Sequence, residues 1–234
     1  MLHISHRAVF KKIVAKLRAL GYAVWFRPLR TQDHGIPHSR TRLYMVAIRK
    51  DSIRKAFTFP TAIPLKRKAK AMMIRDPAID KRNRLPDHPR ERILCKKAYN
   101  QALDKGVDPR RSLVIVDIRC SDKYASYGVN SMPCMTATRS SQRGWWCSVV
   151  GRQISLLELW QFQGVELEAA RQIMQALEEH ARETKRKVVS QAQIGHMLGN
   201  TMSLNVIERL LAKALPAAGL VAGRIVDPWV QGAE

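Results

Sequence analysis

With 234 residues, 46% of them hydrophobic, the chain is long and apolar enough to bury the core of one large or two small domains, which excludes a disordered tail. Lysine and arginine number 41 against 19 acidic residues, a formal charge of +22. A polyanionic partner is therefore expected, nucleic acid first, with a ribosome-associated protein or a membrane-surface binder as the other classes such a charge allows.

The apolar residues Val9, Phe10, Ile13, Val14, Leu17 and Leu20 recur at helical spacing and predict an amphipathic helix over 6–20, stopped by Gly21. Residues 22–26 read as a short strand and 42–48 as a buried one, joined by a polar loop over 31–41. From 50 to about 113, six prolines and basic clusters at 66–68 and 81–92 predict an irregular, basic, separate lobe. A strand is expected over 112–119, then a polar loop reaching Met132. Ser155-x-x-Glu158 is a capping box opening a short helix, 166–186 a longer charged helix ending in Lys185-Arg186-Lys187, and Ser203 an N-cap for a final helix to Leu215.

No apolar run approaches the ~20 residues that span a bilayer, and the first residues lack signal-peptide organisation. An intracellular protein is expected, cytoplasmic in a bacterium or phage and nuclear in a eukaryote. The cysteines, Cys95, Cys120, Cys134 and Cys147, are widely spaced, so no metal site or disulfide framework is expected, only reduced and mostly buried thiols.

The most informative segment is Asp33-His34-Gly35-Ile36-Pro37-His38-Ser39-Arg40-Thr41-Arg42, followed at once by an apolar strand. Two arginines behind a Gly-x-Pro turn offer planar cationic forks suited to phosphate oxygens and base acceptors, although such a pair on a basic protein is more often a solvated face. The segment resembles motif VIII of the DNA cytosine-5 methyltransferases, Gly-x-Pro-Gln-x-Arg-x-Arg. Two further resemblances follow in the family's order: Arg152 to Gly164 is similar to motif IX, and Gly199-Asn200-Thr201-Met202-Ser203-Leu204-Asn205-Val206 to motif X. Between the first two lies a stretch of the length that the family gives to target recognition. Near its end Pro133-Cys134-Met135-Thr136 resembles the Pro-(Thr/Cys)-(Leu/Ile)-Thr element that contacts the DNA backbone. Departures are His38 in place of glutamine, Gln161 in place of the motif IX arginine, and Val165 after Gly164.

The resemblance implies an α/β chain, part of the Rossmann-like S-adenosylmethionine-dependent methyltransferase fold, with an irregular α+β target-recognition lobe. It implies core residues at 1–50, the recognition lobe at 51–150 and a helical return to the core at 151–234. Arg42 would help hold an extruded cytosine, Arg40 would support the active-site loop or nearby backbone, and Thr136 would meet DNA. Asn200 and Thr201 would line the S-adenosyl-L-methionine pocket, while Arg152 and Glu158 would brace the lobe against the core. Gly35, Pro37, Gly164 and Gly199 would be structural motif residues. Read without the family, Asn200 and Thr201, and Arg152 with Glu158, are a helix cap and a capping box.

The Pro-Cys-Gln nucleophile loop, the Glu-Asn-Val base-holding motif and the Phe-x-Gly-x-Gly donor turn do not occur in the chain. Cys134 is followed by Met135-Thr136-Ala137-Thr138 and lies downstream of motif VIII, so no catalytic nucleophile is assigned. The expectation is a C-terminal fragment or subunit that begins just after the missing motif, and offers only the last two strands of the family's core sheet. It would bind duplex DNA and would be inactive alone, S-adenosyl-L-methionine being held only with an N-terminal half, as a separate methyltransferase chain or as sequence absent here. The alternative is a non-enzymatic basic nucleic-acid-binding module that uses Trp145 and Trp146 as stacking surfaces; as lobe-packing residues they would carry no such role.

Overall fold

The computed structural model describes residues 4–76, 78, 84–121, 123–185 and 189–230. Residues 81–83 of the second basic cluster, together with Arg186 and Lys187, lie outside the described residues. The class is mixed α/β, as the resemblance implies. The chain divides into two compact units: the first is Met1–Gly35, Thr41–Lys66 and Asn205–Glu234, the second Ile36–Arg40 and Arg67–Leu204.

The first unit opens with α1 (Ile4–Ala19), which ends at Gly21 and leads into the antiparallel hairpin of β1 (Tyr22–Arg30) and β2 (Thr41–Arg49). The register runs from Tyr22 opposite Arg49 to Arg30 opposite Thr41. β1 is longer than its sequence pattern predicts and passes through Pro28; a proline is tolerated in a strand at a sheet edge, and among the described residues β1 is bordered by β2 alone. Period-2 alternation turns Tyr44 and Ile48 inward with Leu29, onto Phe57 and onto Val206 and Leu210 of α7 (Leu204–Ala217). On α1 Val14 is buried, whereas Val9 (57% exposed) and Ile13 (44%) face outward. The amphipathic stripe predicted for this helix is thus mostly uncovered.

In the second unit four strands form one antiparallel sheet ordered β4 (Tyr127–Val129), β3 (Val114–Asp117), β5 (Trp145–Cys147) and β6 (Arg152–Gln153). Every residue of β3 and β5 is buried. The stretch expected to be irregular contains α2 (Pro89–Asp104), begun by a proline at its first position. It packs on β3 through Cys95, Ala98 and Ala102, while Ile93 and Leu103 are exposed. A buried stripe of small residues carries little hydrophobic signal, which is why periodicity does not reveal this helix. The short α3 (Ala137–Ser141) is followed after the sheet by α4 (Leu156–Phe162), α5 (Leu167–Glu183) and α6 (Gln191–Asn200). The capping box at Ser155 and Glu158 forms as read; a second, Ser190 with Gln193, opens α6, a helix the pattern does not reveal. Trp145 (1% exposed) and Trp146 (7%) lie in the core, so a stacking surface built on them is overturned.

Candidate functional site

The second unit is knotted around the segment Ile36–Arg40. Pro37 accepts from the Met132 N–H at 2.8 Å and the Ser39 N–H donates to the Met132 carbonyl at 2.8 Å, so the turn is clasped from both sides by the residue just before the Pro133-Cys134-Met135-Thr136 element. His38 is fully buried. Its Nδ1 lies 3.0 Å from the Phe162 carbonyl oxygen and its Nε2 3.3 Å from the Met135 backbone nitrogen. A carbonyl can only accept and an amide N–H can only donate, which fixes the neutral tautomer with the proton on Nδ1. A glutamine amide offers the same pair, one donor and one acceptor, so the histidine that departs from the motif VIII pattern performs a chemistry that glutamine could also supply.

Arg40 is 4% exposed. Its Nη1 donates to the carbonyls of Met135 at 2.5 Å and Gly199 at 3.2 Å, and its Nη2 to the Thr201 carbonyl at 2.8 Å. One guanidinium therefore gathers the motif VIII-like turn, the Pro-Cys-Met-Thr element and the motif X-like segment. A planar fork with five donors can hold several carbonyl acceptors at once, where an ammonium, a point charge without the planar fork, could not reproduce that geometry. α6 approaches α3 closely enough that a methyl group on Gly199 would collide with the backbone of Thr136 and Ala137, and one on Gly195 with the Ser140 carbonyl. Thr136 is the N-cap residue of α3 and Asn200 ends α6. Thr201 follows, with its hydroxyl on the carbonyls of Met197 (3.1 Å) and Leu198 (2.8 Å). Asn200, Thr201, Met197 and Met202 are all exposed, a polar edge flanked by two flexible apolar side chains.

Arg152 and Glu158 form a bidentate pair, both contacts at 2.9 Å, with the carboxylate fully buried. That carboxylate also accepts from the Ile74 N–H at 2.8 Å and from the N–H and hydroxyl of Ser155 at 2.7 and 2.9 Å, and Arg152 Nη2 donates to the Ile74 carbonyl at 2.5 Å. Its lone pairs are thus satisfied, the condition under which a buried charge is tolerated. Gln161, at the position of the motif IX arginine, is buried and donates to the Met72 carbonyl at 3.0 Å. Gln163 donates to the Leu198 carbonyl (2.7 Å) and accepts from Ser203 (3.0 Å), and Gly164 turns the chain out of α4 with φ +94°.

Gly35 and Arg42 belong to the first unit. Arg42 opens β2 beside Thr41, to whose carbonyl it donates at 2.9 Å, and is half-buried on the same face as Tyr44 and Ile48. In the same unit the 31–35 turn is fastened to α7: the Asn205 amide donates to the carbonyls of Thr31 (3.1 Å) and His34 (2.8 Å). The pattern reading does not single out His34, Asn205, Gln163 or Arg209, which the structure shows buried and bonded. Only the Gly195-x-x-x-Gly199 spacing could have signalled the close α3–α6 contact.

Cys95 and Cys147 are buried, and burial pushes both thiols up to about 12. Cys134 is partly exposed, its Sγ 3.8 Å from the Met135 carbonyl oxygen. Among the described residues no three His, Cys, Asp or Glu side chains converge as metal ligands would, and no helix is long and apolar enough to cross a membrane.

The chain is 33% identical over 99 residues to the type II methyltransferase M.SsoII of Shigella sonnei, covering 42% of this chain and 26% of that protein. The structure of the Entamoeba histolytica methyltransferase EhMeth superposes with a TM-score of 0.49 and 16% identity, over 89% of this chain and 58% of the other. The chain thus spans 26% of the length of that curated relative. The family model for C-5 cytosine-specific DNA methylases matches residues 1–215, nearly the whole sequence, and the chain belongs to that family.

Proposed function

We propose that the chain supplies the C-terminal share of a DNA cytosine-5 methyltransferase: residues 1–50 and 151–234 serve its core and 51–150 its target recognition. The observation that carries this reading is Arg40, whose guanidinium joins the three segments that resemble motif VIII, the Pro-Cys-Met-Thr element and motif X. In this reading Arg40 holds backbone in place, and Arg42, partly exposed at the mouth of β2, presents a fork to the acceptors of an extruded cytosine. Thr136, at the start of α3, meets a DNA phosphate. Arg152 and Glu158 brace residues 67–76 against the start of α4.

The exposed edge formed by Asn200 and Thr201, with Met197 and Met202 beside it, fits one wall of a pocket for S-adenosyl-L-methionine, which when bound supplies the methyl group. The chain has no Pro-Cys-Gln loop, so the thiolate that attacks the base comes from sequence outside it, as does the rest of the donor pocket. The two-stranded hairpin and the uncovered stripe of α1 support a partner that carries further strands. The relative's title as a type II methyltransferase supports a restriction-modification setting.

The test is to co-express the chain with a separate N-terminal methyltransferase half and measure methyl transfer to duplex DNA. Incorporation that disappears with Arg42→Ala is the expected result. Failure of the chain to bind duplex DNA at low salt would count against the reading.

A further inference from the structure

Residues 224–230 lie beyond the family match, which ends at 215, yet they are fastened into the first unit at several points. Arg209 of α7, only 2% exposed, donates through Nε to Asp227 Oδ2 at 2.8 Å, and its Nη1 lies 2.6 Å from His34 Nδ1. Asp227 Oδ1 accepts from the Trp229 backbone N–H at 3.0 Å. The Trp229 indole N–H donates to Glu208 at 2.7 Å. Lys66 donates to the Pro228 carbonyl at 3.0 Å, and its ammonium stands 5.4 Å from the centre of the Trp229 ring. That ring covers Gly35: a Cβ there would come within 3.3 Å of Trp229 Cε3, and Gly35 has φ +99°, a conformation costly for other residues.

The turn 31–35 is therefore held from two sides. α7 grips it through Asn205 and Arg209, and the Asp33 and Gly35 carbonyls accept from the N–H groups of Ile63 and Lys66 at 2.9 Å each. The tail closes the other side. Without Asp227, the buried Arg209 guanidinium would lose the carboxylate that compensates its charge and would face the His34 ring alone among these contacts, a costly arrangement.

We propose that Trp229 and Asp227 are positioning residues. They hold the 31–35 turn at the end of the hairpin in which Leu29 pairs with Arg42, so that Arg42 is presented to nucleic acid. This rests on the DNA-contacting reading of Arg42 given above. A tail that merely covers apolar surface would raise overall stability without this selectivity.

The experiment uses the full chain with Trp229→Ala, Trp229→Phe and Asp227→Asn, hydrogen exchange read by mass spectrometry, and binding to a duplex oligonucleotide at low salt. For Trp229→Ala, exchange over 31–35 and 63–66 should rise about tenfold, with 114–117 unchanged. Duplex affinity should fall about five- to tenfold, and most of that loss should vanish when Arg42→Ala is already present. Trp229→Phe, which keeps a ring over Gly35, should restore affinity, and Asp227→Asn should reproduce the local exchange with the core intact. Unchanged exchange at 31–35, a rise equally large at 114–117, or affinity retained by Trp229→Ala overturns the proposal. If the wild-type chain binds no duplex, the DNA-contacting reading fails and takes this one with it; if wild type binds and Trp229→Ala binds equally well, only the positioning role fails.

Discussion

The β3-centred sheet and the β1–β2 hairpin are built from similarly apolar strands, yet they end in different environments. β3 is bordered on both edges, buried along its whole length and covered by α2. The hairpin is two-stranded among the described residues, and on the α1 side Val9, Ile13, Phe26 and Met45 remain exposed. Phe26 and Phe10 stand at right angles, the ring centres 4.9 Å apart. Exposed apolar side chains of this kind leave surface that water hydrates poorly. One region has finished burying its apolar face within the chain; the other has not.

The largest expected effect sharpens that difference. Trp145→Ala, in the enclosed sheet, should cost about 3–5 kcal/mol in urea unfolding by opening a large cavity. Trp145→Phe should cost much less, since the indole nitrogen is buried with no hydrogen-bond partner that the substitution would strand. Next comes Arg40→Met, expected to cost about 1–3 kcal/mol because the buried contacts to the Met135 and Gly199 carbonyls and the part-buried one to Thr201 are lost. A loss no larger than that of a surface substitution would mean that the knot of segments is held by something else.

Acid should move the two regions in opposite directions. Burial first, and then the nearby Arg209, hold His34 below its ordinary 6.5, with Arg27 adding to them and Asp33 and Asp227 opposing. The folded state therefore resists the proton that the unfolded state takes up, so the first unit loses stability as pH falls below about 6.5. Asp117 of β3 is pushed above its ordinary 3.8 by burial, against the pull of Arg139 at 2.7 Å. Its ionised form is penalised when folded, and that penalty is relieved as pH falls toward 3.8. Region-resolved hydrogen exchange between pH 7 and 5, corrected for intrinsic rates, should show the 31–35 turn opening more often while β3 does not; equal changes in both would break the comparison.

The smallest effect on stability is expected from Val9→Ser with Ile13→Ser, within about 0.5 kcal/mol, because these side chains are already exposed. Urea unfolding measures that change. A loss as large as that of Trp145→Ala would mean that the α1 stripe is buried in solution.

Much of the helical framework could be read from the chain. α1, α5 and α7 carry long apolar periodicities, and α4 announces itself through Ser155 and Glu158, because capping and amphipathicity act within a few residues. α2 and α6 escaped the same reading. Their buried faces use Cys95, Ala98, Ala102, Gly195 and Gly199, residues chosen for close approach rather than for hydrophobicity. Trp145 and Trp146 were ambiguous for a related reason: an aromatic side chain suits a core and a stacking surface equally well, and only the enclosing sheet decides.

By itself the sequence determined the order of the motif-like segments, the helices α4 and α7 that carry part of them, and the absence of a Pro-Cys-Gln sequence, since each of these is a local pattern. Only the tertiary structure decided what those residues touch. Arg40 meets carbonyls 95, 159 and 161 residues away, His38 takes its tautomer from Phe162 and Met135, and Trp229 covers Gly35. Periodicity and capping are set by neighbours along the chain, whereas the partner of a buried polar group is whichever donor or acceptor the packed fold brings within hydrogen-bond reach.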